Sequence, residues 1–445
     1  MTRLHSAIPC SIASVLTFGA LSLLPAAGAA APEATCGGET ATLVGRPGSA
    51  ELVGTSGRDV IVTNGVESVD ALGGGDLICI TGDTESVTAG SGRDDVRNLQ
   101  TADGVSDGPG VWLGPGGDTY LGGPGPEVVF TDDDFPESFA ARDDRDVVDT
   151  GAGADIVATG RPGSRMLDAV DLGPGRDSAS LEGLAAGSTF SLAGGTGRDT
   201  LVTSEDATGA LSNGRWVFDN RRSPGIATVV GEPVLSWTSF DVFVFEAPVR
   251  SVDFLGGDTD ERLTADSLRR ADMGAGNDVV RFTAAHPRGS QVAGGSGTDR
   301  FVTHRQDYPA ECFGTATVRM GAGTYRCDDD ARYRAAFDGF EVARIAAGRV
   351  DIVGSRRADQ IVVHARCGGR VRAGYGADRV IIRRPKYRCL EGGWTPIRVD
   401  GGPGDDDLVG WIRRDVLIGG PGSDSADGGP DIDRCFAENR ENCEE

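Results

Sequence analysis

The chain has 445 residues, of which 68 are glycine, 39% are hydrophobic and only 6% are aromatic. That excludes a large globular core built on Phe and Trp, while leaving enough small and branched residues for a narrow one. Lys+Arg total 43 against Asp+Glu 67, a formal charge of −24. Such an excess repels nucleic-acid phosphates and anionic membranes and favours cations, so neither nucleic acid nor a membrane is an expected partner.

In chain order, residues 1–29 read as a secretory signal: Arg3 supplies the positive start, "IASVLTFGALSLL" (12–24) is the apolar stretch, and cleavage is expected after Ala29. No later apolar run reaches the length of a membrane span, so the expected location is extracellular, freely secreted from a bacterium. Nine cysteines are present, and Cys10 leaves with the signal. Cys36, Cys79, Cys312, Cys327, Cys367, Cys389, Cys435 and Cys443 remain, an even number that favours disulfides in an exported chain. Sequence does not prove connectivity, but local pairing (36–79, 312–327, 367–389, 435–443) suits a fold in which sequence neighbours are spatial neighbours. No CxxC is present, which argues against a zinc ribbon.

From residue 30 onward a glycine-aspartate frame recurs. Near-complete copies are "GTSGRDVIV" (54–62), "GGTGRDTLV" (194–202), "GGSGTDRFV" (294–302) and "GGPGDDDLV" (401–409). Looser ones are "AGSGRDDVR" (89–97), "LGPGGDTYL" (113–121), "TGAGADIVA" (150–158), "LGPGRDSAS" (172–180), "MGAGNDVVR" (273–281) and "AGYGADRVI" (373–381). Glu127 replaces the aspartate in "GGPGPEVVF" (122–130), the glycines have decayed around Asp359, and "GGPGSDSADGGPDIDRC" (419–435) carries two copies nine residues apart. Between the turns lie four- or five-residue β-branched runs, a length that fits strands and not helices. The patch "TADSLRRADM" (264–273) is the one stretch that reads as a helical turn. Strand, glycine turn, strand, repeated, predicts a solenoid.

Spacing adds an independent argument. Asp59, Asp76 and Asp94 are 17 and 18 residues apart, Asp155, Asp177 and Asp199 are 22 and 22, and Asp278 and Asp299 are 21. These intervals return the chain to one edge on each coil. The nine-residue steps, Glu127 after Asp118 and Asp433 after Asp424, place turns on both edges. A longer repeat sets 239–263 beside 336–361, with Glu261 opposite Asp359. The expected organisation is a signal (1–29), an N-terminal arm (30–202), a less regular aromatic stretch (203–255), a C-terminal arm (256–434) and a disulfide-closed cap (435–445). Trp216, Phe218, Trp237, Phe240, Phe243 and Phe245 in the aromatic stretch read as a wider coil or as packing between the arms, with a sugar-binding face as the sharper alternative.

The frame resembles the RTX (hemolysin-type) nonapeptide, G-G-x-G-x-D-x-U-x with U a large aliphatic residue, over most of the mature chain. That resemblance implies an all-β, right-handed parallel β-roll with several Ca²⁺ ions between stacked turns. The implied metal ligands are Asp59, Asp76, Asp94, Asp118, Glu127, Asp155, Asp177, Asp199, Asp278, Asp299, Asp359, Asp378, Asp406, Asp424 and Asp433. Asp199, Asp299, Asp406 and Asp424 are the foremost of these, whereas Asp76, Asp359 and Glu261 read also as turns that have lost metal. "TDDDFPE" (131–137) and "CDDDARY" (327–333) read as solvated acidic loops, with extra metal sites as the alternative. A Gly-rich turn aims carbonyl oxygens inward, and calcium takes six to eight oxygens that only stacked turns can supply together.

No HExxH, no GxSxG elbow and no Gly-Lys-Ser/Thr phosphate loop is present. The chain departs from RTX toxins and proteases in having an N-terminal signal and no catalytic or acylated region. The expected function is therefore non-catalytic calcium binding outside the cell, coupled to folding. An extracellular glycan or cell-surface component is a candidate partner. The rivals are a calcium-dependent β-helical polysaccharide lyase or epimerase, drawing on "HRQDYP" (304–309) or "RRPKYR" (383–388), and a glycan-binding adhesin.

Overall fold

A computed structural model of the chain describes residues 33–444 apart from 102–107, 133–144, 161–164, 183–186, 204–214, 247–251, 266–267, 283–287, 304–311, 330–333, 386–388, 390–392 and 394. The predicted signal, residues 304–309 and parts of both acidic loops lie outside the described residues.

The described chain is all-β. Short strands stack in parallel into two sheets, one pair of strands per coil, as the glycine punctuation and the four-residue runs require. In the first sheet Val60–Val62, Leu77–Ile80, Asp95–Asn98, Thr119–Leu121, Val147–Asp149 and Ala169–Asp171 succeed one another, each parallel to the last. In the second, Ser86–Thr88, Gly110–Trp112, Val128–Phe130, Ile156–Thr159, Ser178–Leu181 and Thr200–Thr203 do the same. The strand Val342–Val353 belongs to both: its first half pairs with Gln360–Ala365 and its second with Gly369–Arg372. The corner falls near Gly348, where a Cβ would stand 1.8 Å from the Phe313 carbonyl oxygen, so no other residue fits.

Three-residue strands bury mainly their middle residue. Ile61, Ile78, Val96, Tyr120, Val148, Val170 and Leu192 lie in register along the first sheet. Val129, Val157, Ala179 and Leu201 line the second. All are at most 4% exposed. Each coil thus closes on a few side chains and completes its burial only against its neighbours.

Twice the first sheet departs from this plan in the same way. Glu232–Thr238 pairs with Phe190–Ala193 behind it, Gly225–Val229 runs antiparallel beside it, and Trp216–Asp219 pairs forward with Val252–Leu255. Arg334–Asp338, Thr324–Cys327 and Cys312–Arg319 repeat the arrangement between Arg288–Ala293 and Val342–Val353. In both places the chain jumps ahead, then returns through an antiparallel meander. The internal repeat 239–263 and 336–361 begins as each meander ends, and Glu261 and Asp359 stand at equivalent points beyond it.

Each meander adds strands to one sheet only, and larger side chains fill the interior there. Trp216, Phe218, Trp237, Phe243, Phe245 and Phe254 pack with ring centroids 4.5–6.4 Å apart. Phe282, Phe301, Tyr325, Phe337 and Phe340 form a second such group. With Phe240, the six rings of the 203–255 stretch and its neighbours are buried, so they form core and not an exposed sugar-binding face. The patch 264–273 is likewise not helical over its described residues: Thr264 and Ala265 end the strand Arg262–Ala265 and Arg270–Asp272 form another, with Leu263 and Ala271 buried between less buried neighbours.

Four disulfides staple this stack, Cys36–Cys79, Cys312–Cys327, Cys367–Cys389 and Cys435–Cys443, the local pairs that suited a solenoid. Among the described residues no helix is long and apolar enough to cross a membrane. Phe243, fully buried between two other rings, is expected to cost about 3–5 kcal/mol on truncation to Ala, and the exposed Tyr375 within about 0.5 kcal/mol. Comparing the two denaturation midpoints checks this; equal shifts would mean the meander core is not packed as described.

Candidate functional site: two carboxylate ladders

The aspartate of each frame opens a strand, and the residue two positions on is the buried core residue. That pins the carboxylate at the coil edge, directly over its counterpart in the next coil. Along the first sheet the backbone N–H of Asp59 donates to Asp76 Oδ1 (2.7 Å), Asp76 to Asp94 (2.7 Å), Asp94 to Asp118 (2.8 Å), Asp118 to Asp146 (2.8 Å) and Asp146 to Asp168 (3.0 Å). Along the second, Glu127 donates to Asp155, Asp155 to Asp177 and Asp177 to Asp199 at 2.8–3.0 Å. The same bond links Glu261, Asp278, Asp299 and Glu341, and again Asp359, Asp378, Asp406 and Asp424. Asp415 and Asp433 resume the first ladder near the C-terminus.

The fifteen sequence candidates therefore fall on two edges. Asp59, Asp76, Asp94, Asp118 and Asp433 open first-sheet strands, and the other ten open second-sheet strands. The glycine turns change edge between Asp118 and Glu127, which is the meaning of that nine-residue step.

The frame's glycines have separate physical reasons, seen in the turn Gly401–Asp406. A Cβ on Gly401 would stand 2.2 Å from Asp406 Oδ2, so the first glycine makes room for the carboxylate. Gly402 and Gly404 have φ of +99° and +150°, and Cβ atoms there would meet the Gly374 and Gly376 carbonyl oxygens at 2.1 and 1.7 Å. Turn thus rests directly on turn. Gly402 N–H donates to the Gly419 carbonyl and Gly404 N–H to that of Pro421. The carbonyls of Gly402 and Gly404 accept no backbone N–H among the described residues and face the next turn's glycines.

One oxygen of most ladder carboxylates is used by the neighbouring rung; in Glu127 and Glu261, which each begin a run, it accepts instead from the Gly123 or Gly257 N–H and from Asn98 or Asn220. The other, in Asp76, Asp94, Glu127, Asp155, Asp177, Asp199, Glu261, Asp278, Asp299, Asp378, Asp406, Asp424 and Asp433, is buried and accepts no hydrogen bond. A buried acceptor without a donor is costly, and a negative one more so. Asp59 and Asp359 differ: Thr55 N–H (2.8 Å) and hydroxyl (2.9 Å) cap Asp59 Oδ2, and Ser355 binds both oxygens of Asp359. The arrangement offers hard oxygen donors without nitrogen or sulfur, which fits calcium. By contrast, Cys312, Cys327 and Asp329 come together only because the two sulfurs are already a disulfide.

Several ladder members lay beyond the sequence frame. Asp146, Asp168, Asp241, Glu341 and Asp415 lack some or all of the glycines, yet each has its core residue two positions on: Val148, Val170, Phe243, Ala343 and Leu417. That acid-x-apolar signal, at coil spacing, would have found them. Toward the C-terminus, Glu438, which precedes the strand Asn439–Glu441 paired with Ser425–Asp427, accepts the Asp424 N–H on Oε2 (2.9 Å), and Glu444 Oε2 accepts the Asp433 N–H (2.6 Å). Of the residues weighed for catalysis, Arg383 and Arg384 lie beside buried His364. The imidazole has Nε2 facing Arg344 Nε (3.3 Å) and Nδ1 facing the Arg384 carbonyl (3.2 Å).

Burial is the largest influence on the ladder's acidity. It pushes Asp94, Asp155, Asp177 and Asp433 up to about 6, and Glu127, Asp378 and Asp415 up to about 7, against the backbone N–H each accepts. Neighbouring carboxylates add to the rise at Asp94, Glu127, Asp177, Asp378, Asp415 and Asp433.

No model of a known protein family matches the chain, and no curated protein sequence does either.

Acids raised by folding bind more protons in the folded than in the unfolded state. The metal-free chain should therefore lose stability as pH rises from about 4 through about 7. In chelator, the thermal midpoint is expected to be higher at about pH 5 than at about pH 8. A midpoint that climbs over that range would contradict a buried, unneutralised ladder. Removing a cap by Glu438→Ala leaves the Asp424 N–H without its acceptor and is expected to destabilise the last coil by about 1 kcal/mol, seen as faster amide exchange at 424–427.

Proposed function

We propose that this is an exported, non-catalytic repeat protein that takes up calcium between its stacked glycine turns and completes its folding by doing so. The single observation that carries the reading is the row of buried second carboxylate oxygens without donors, repeated on both edges. The RTX-like frame supports it, as do the four disulfides, which hint at an extracellular location.

Calcium would be held by those oxygens, with turn carbonyls such as Gly402 and Gly404 as neutral partners. Its charge would offset the repulsion between rungs about 4.8 Å apart. The chain's own contribution is to hold each carboxylate in one orientation, through the N–H of the preceding rung, and to keep competing side chains away by using glycine. Since the paired oxygens exist only when coils are stacked, uptake and folding are coupled. Extracellular calcium modules work at about 10⁻⁴–10⁻³ M, which would keep such a chain loose in a calcium-poor cytosol.

The test is a calcium titration of the mature chain followed by far-ultraviolet circular dichroism and equilibrium dialysis. β-signal is expected to rise with Ca²⁺ and much less with Mg²⁺, which gives up its water reluctantly. Asp406→Asn and Asp424→Asn keep an acceptor for the adjoining N–H but remove a charge, so the midpoint should move several-fold toward higher calcium. Asp132→Ala should leave it in place. A signal and melting temperature indifferent to chelator would refute the proposal.

A further inference from the structure

Outward-facing residues of the first sheet are as regularly registered as the core, and beyond the second meander they are dominated by arginine. One lateral row runs Arg334, Arg326, Thr317, Asp351, Arg370, Arg398, Val416 and Arg434 across successive strands. All five arginines of this row are exposed. Arg370 and Arg398 are direct cross-strand partners, as are Arg326 and Arg334. Like charges placed opposite one another on a sheet are destabilising, so the arrangement has a cost in the isolated protein.

The acid within the row does not relieve it. Asp351 pairs with Arg319 (2.6 Å) and Arg372 (3.4 Å) of the adjoining row. Among the described residues no ion pair or hydrogen bond engages the side chains of Arg326, Arg334, Arg370 or Arg398. Nearer the N-terminus the corresponding row reads Asp95, Thr119, Val147, Ala169 and Ser191, without arginine, and in the adjoining row Asp149 stands directly opposite Asp171. A chain of formal charge −24 thus concentrates cationic side chains on one flat stretch of one sheet.

We infer that this arginine row is a docking surface for an extended, carboxylate-bearing polysaccharide such as a polyuronate. Guanidinium groups bind carboxylates as planar, two-point pairs, and rungs about 4.8 Å apart offer repeated sites to a polymer with one carboxylate per sugar. A nucleic acid fits less well: no exposed aromatic ring stands within the row to stack a base, and the net charge opposes a dense phosphate backbone. The inference does not depend on calcium uptake, because the row lies on a sheet face and not at a turn.

The test uses the mature chain at a fixed calcium level where circular dichroism shows it folded, with soluble oligogalacturonate as the probe in isothermal calorimetry. Binding is expected to be salt-sensitive, absent for a neutral glucan, and weakened about tenfold or more by the pair Arg370→Glu and Arg398→Glu. The pair Arg46→Glu and Arg222→Glu, with the same change in net charge elsewhere, should retain binding. The inference is overturned if both pairs lose binding equally, if neither does, if polyphosphate or DNA binds more tightly than the oligouronate, or if the Arg370 and Arg398 pair instead dissolves a self-association seen by light scattering.

Discussion

The structure depends on one repeated contact, a buried carboxylate accepting the backbone N–H of the same residue type one coil away. Wherever it occurs, that contact fixes the register of one coil on the next. Since side chains in a strand alternate, a slip of one residue would expose the core position and bury its polar neighbours. It also explains why the acid is almost always Asp. A short side chain at a strand's first position reaches the adjoining rung without bending the strand. In the last described coil glutamates take that place, Glu438 accepting the Asp424 N–H and Glu444 that of Asp433.

Alone, the contact is unbalanced. It uses one oxygen and leaves the other in a dry site, and it repeats on rungs close enough to repel. A proton or a cation can answer that imbalance, and the two answers have opposite pH preferences. The raised carboxylate pKa values along the ladder and the proposed calcium uptake express the same physical debt. What distinguishes this ladder from a merely solvated acidic edge is that its members are almost wholly inaccessible, Asp155, Asp278, Asp424 and Asp433 among them.

The two meanders show how such a stack accommodates insertion. Parallel coils tolerate extra strands only if both ends of the insert present parallel edges, and jumping ahead and returning satisfies that condition twice. The interior widens on one side, and aromatic rings replace valine and isoleucine to restore packing density. Outside, the second of these meanders marks the start of the arginine row, so a change in the core and a change in surface chemistry fall together along the chain.

The sequence by itself determined the repeat, its strand character and the edge-to-edge spacing of carboxylates, because each is encoded within one coil by glycine, β-branching and the acid-x-apolar triplet; local cysteine pairing it suggested without proving. It did not determine which edge each turn would occupy. The rungs without glycine, such as Asp146, Asp168 and Asp241, were marked only by the bare acid-x-apolar triplet, and neither their place on an edge nor the residue of the adjoining coil that each carboxylate would meet was determined. Those belong to contacts between residues 17 to 42 positions apart, and the intervening loops vary in length. The aromatic stretch, read chiefly as a wider coil or packing, left a surface alternative open for the same reason: a ring's burial depends on strands inserted from elsewhere, not on its own neighbours in the chain. Local conformation is a property of short segments, whereas the ladder, the widened core and the arginine row exist only once coil rests on coil.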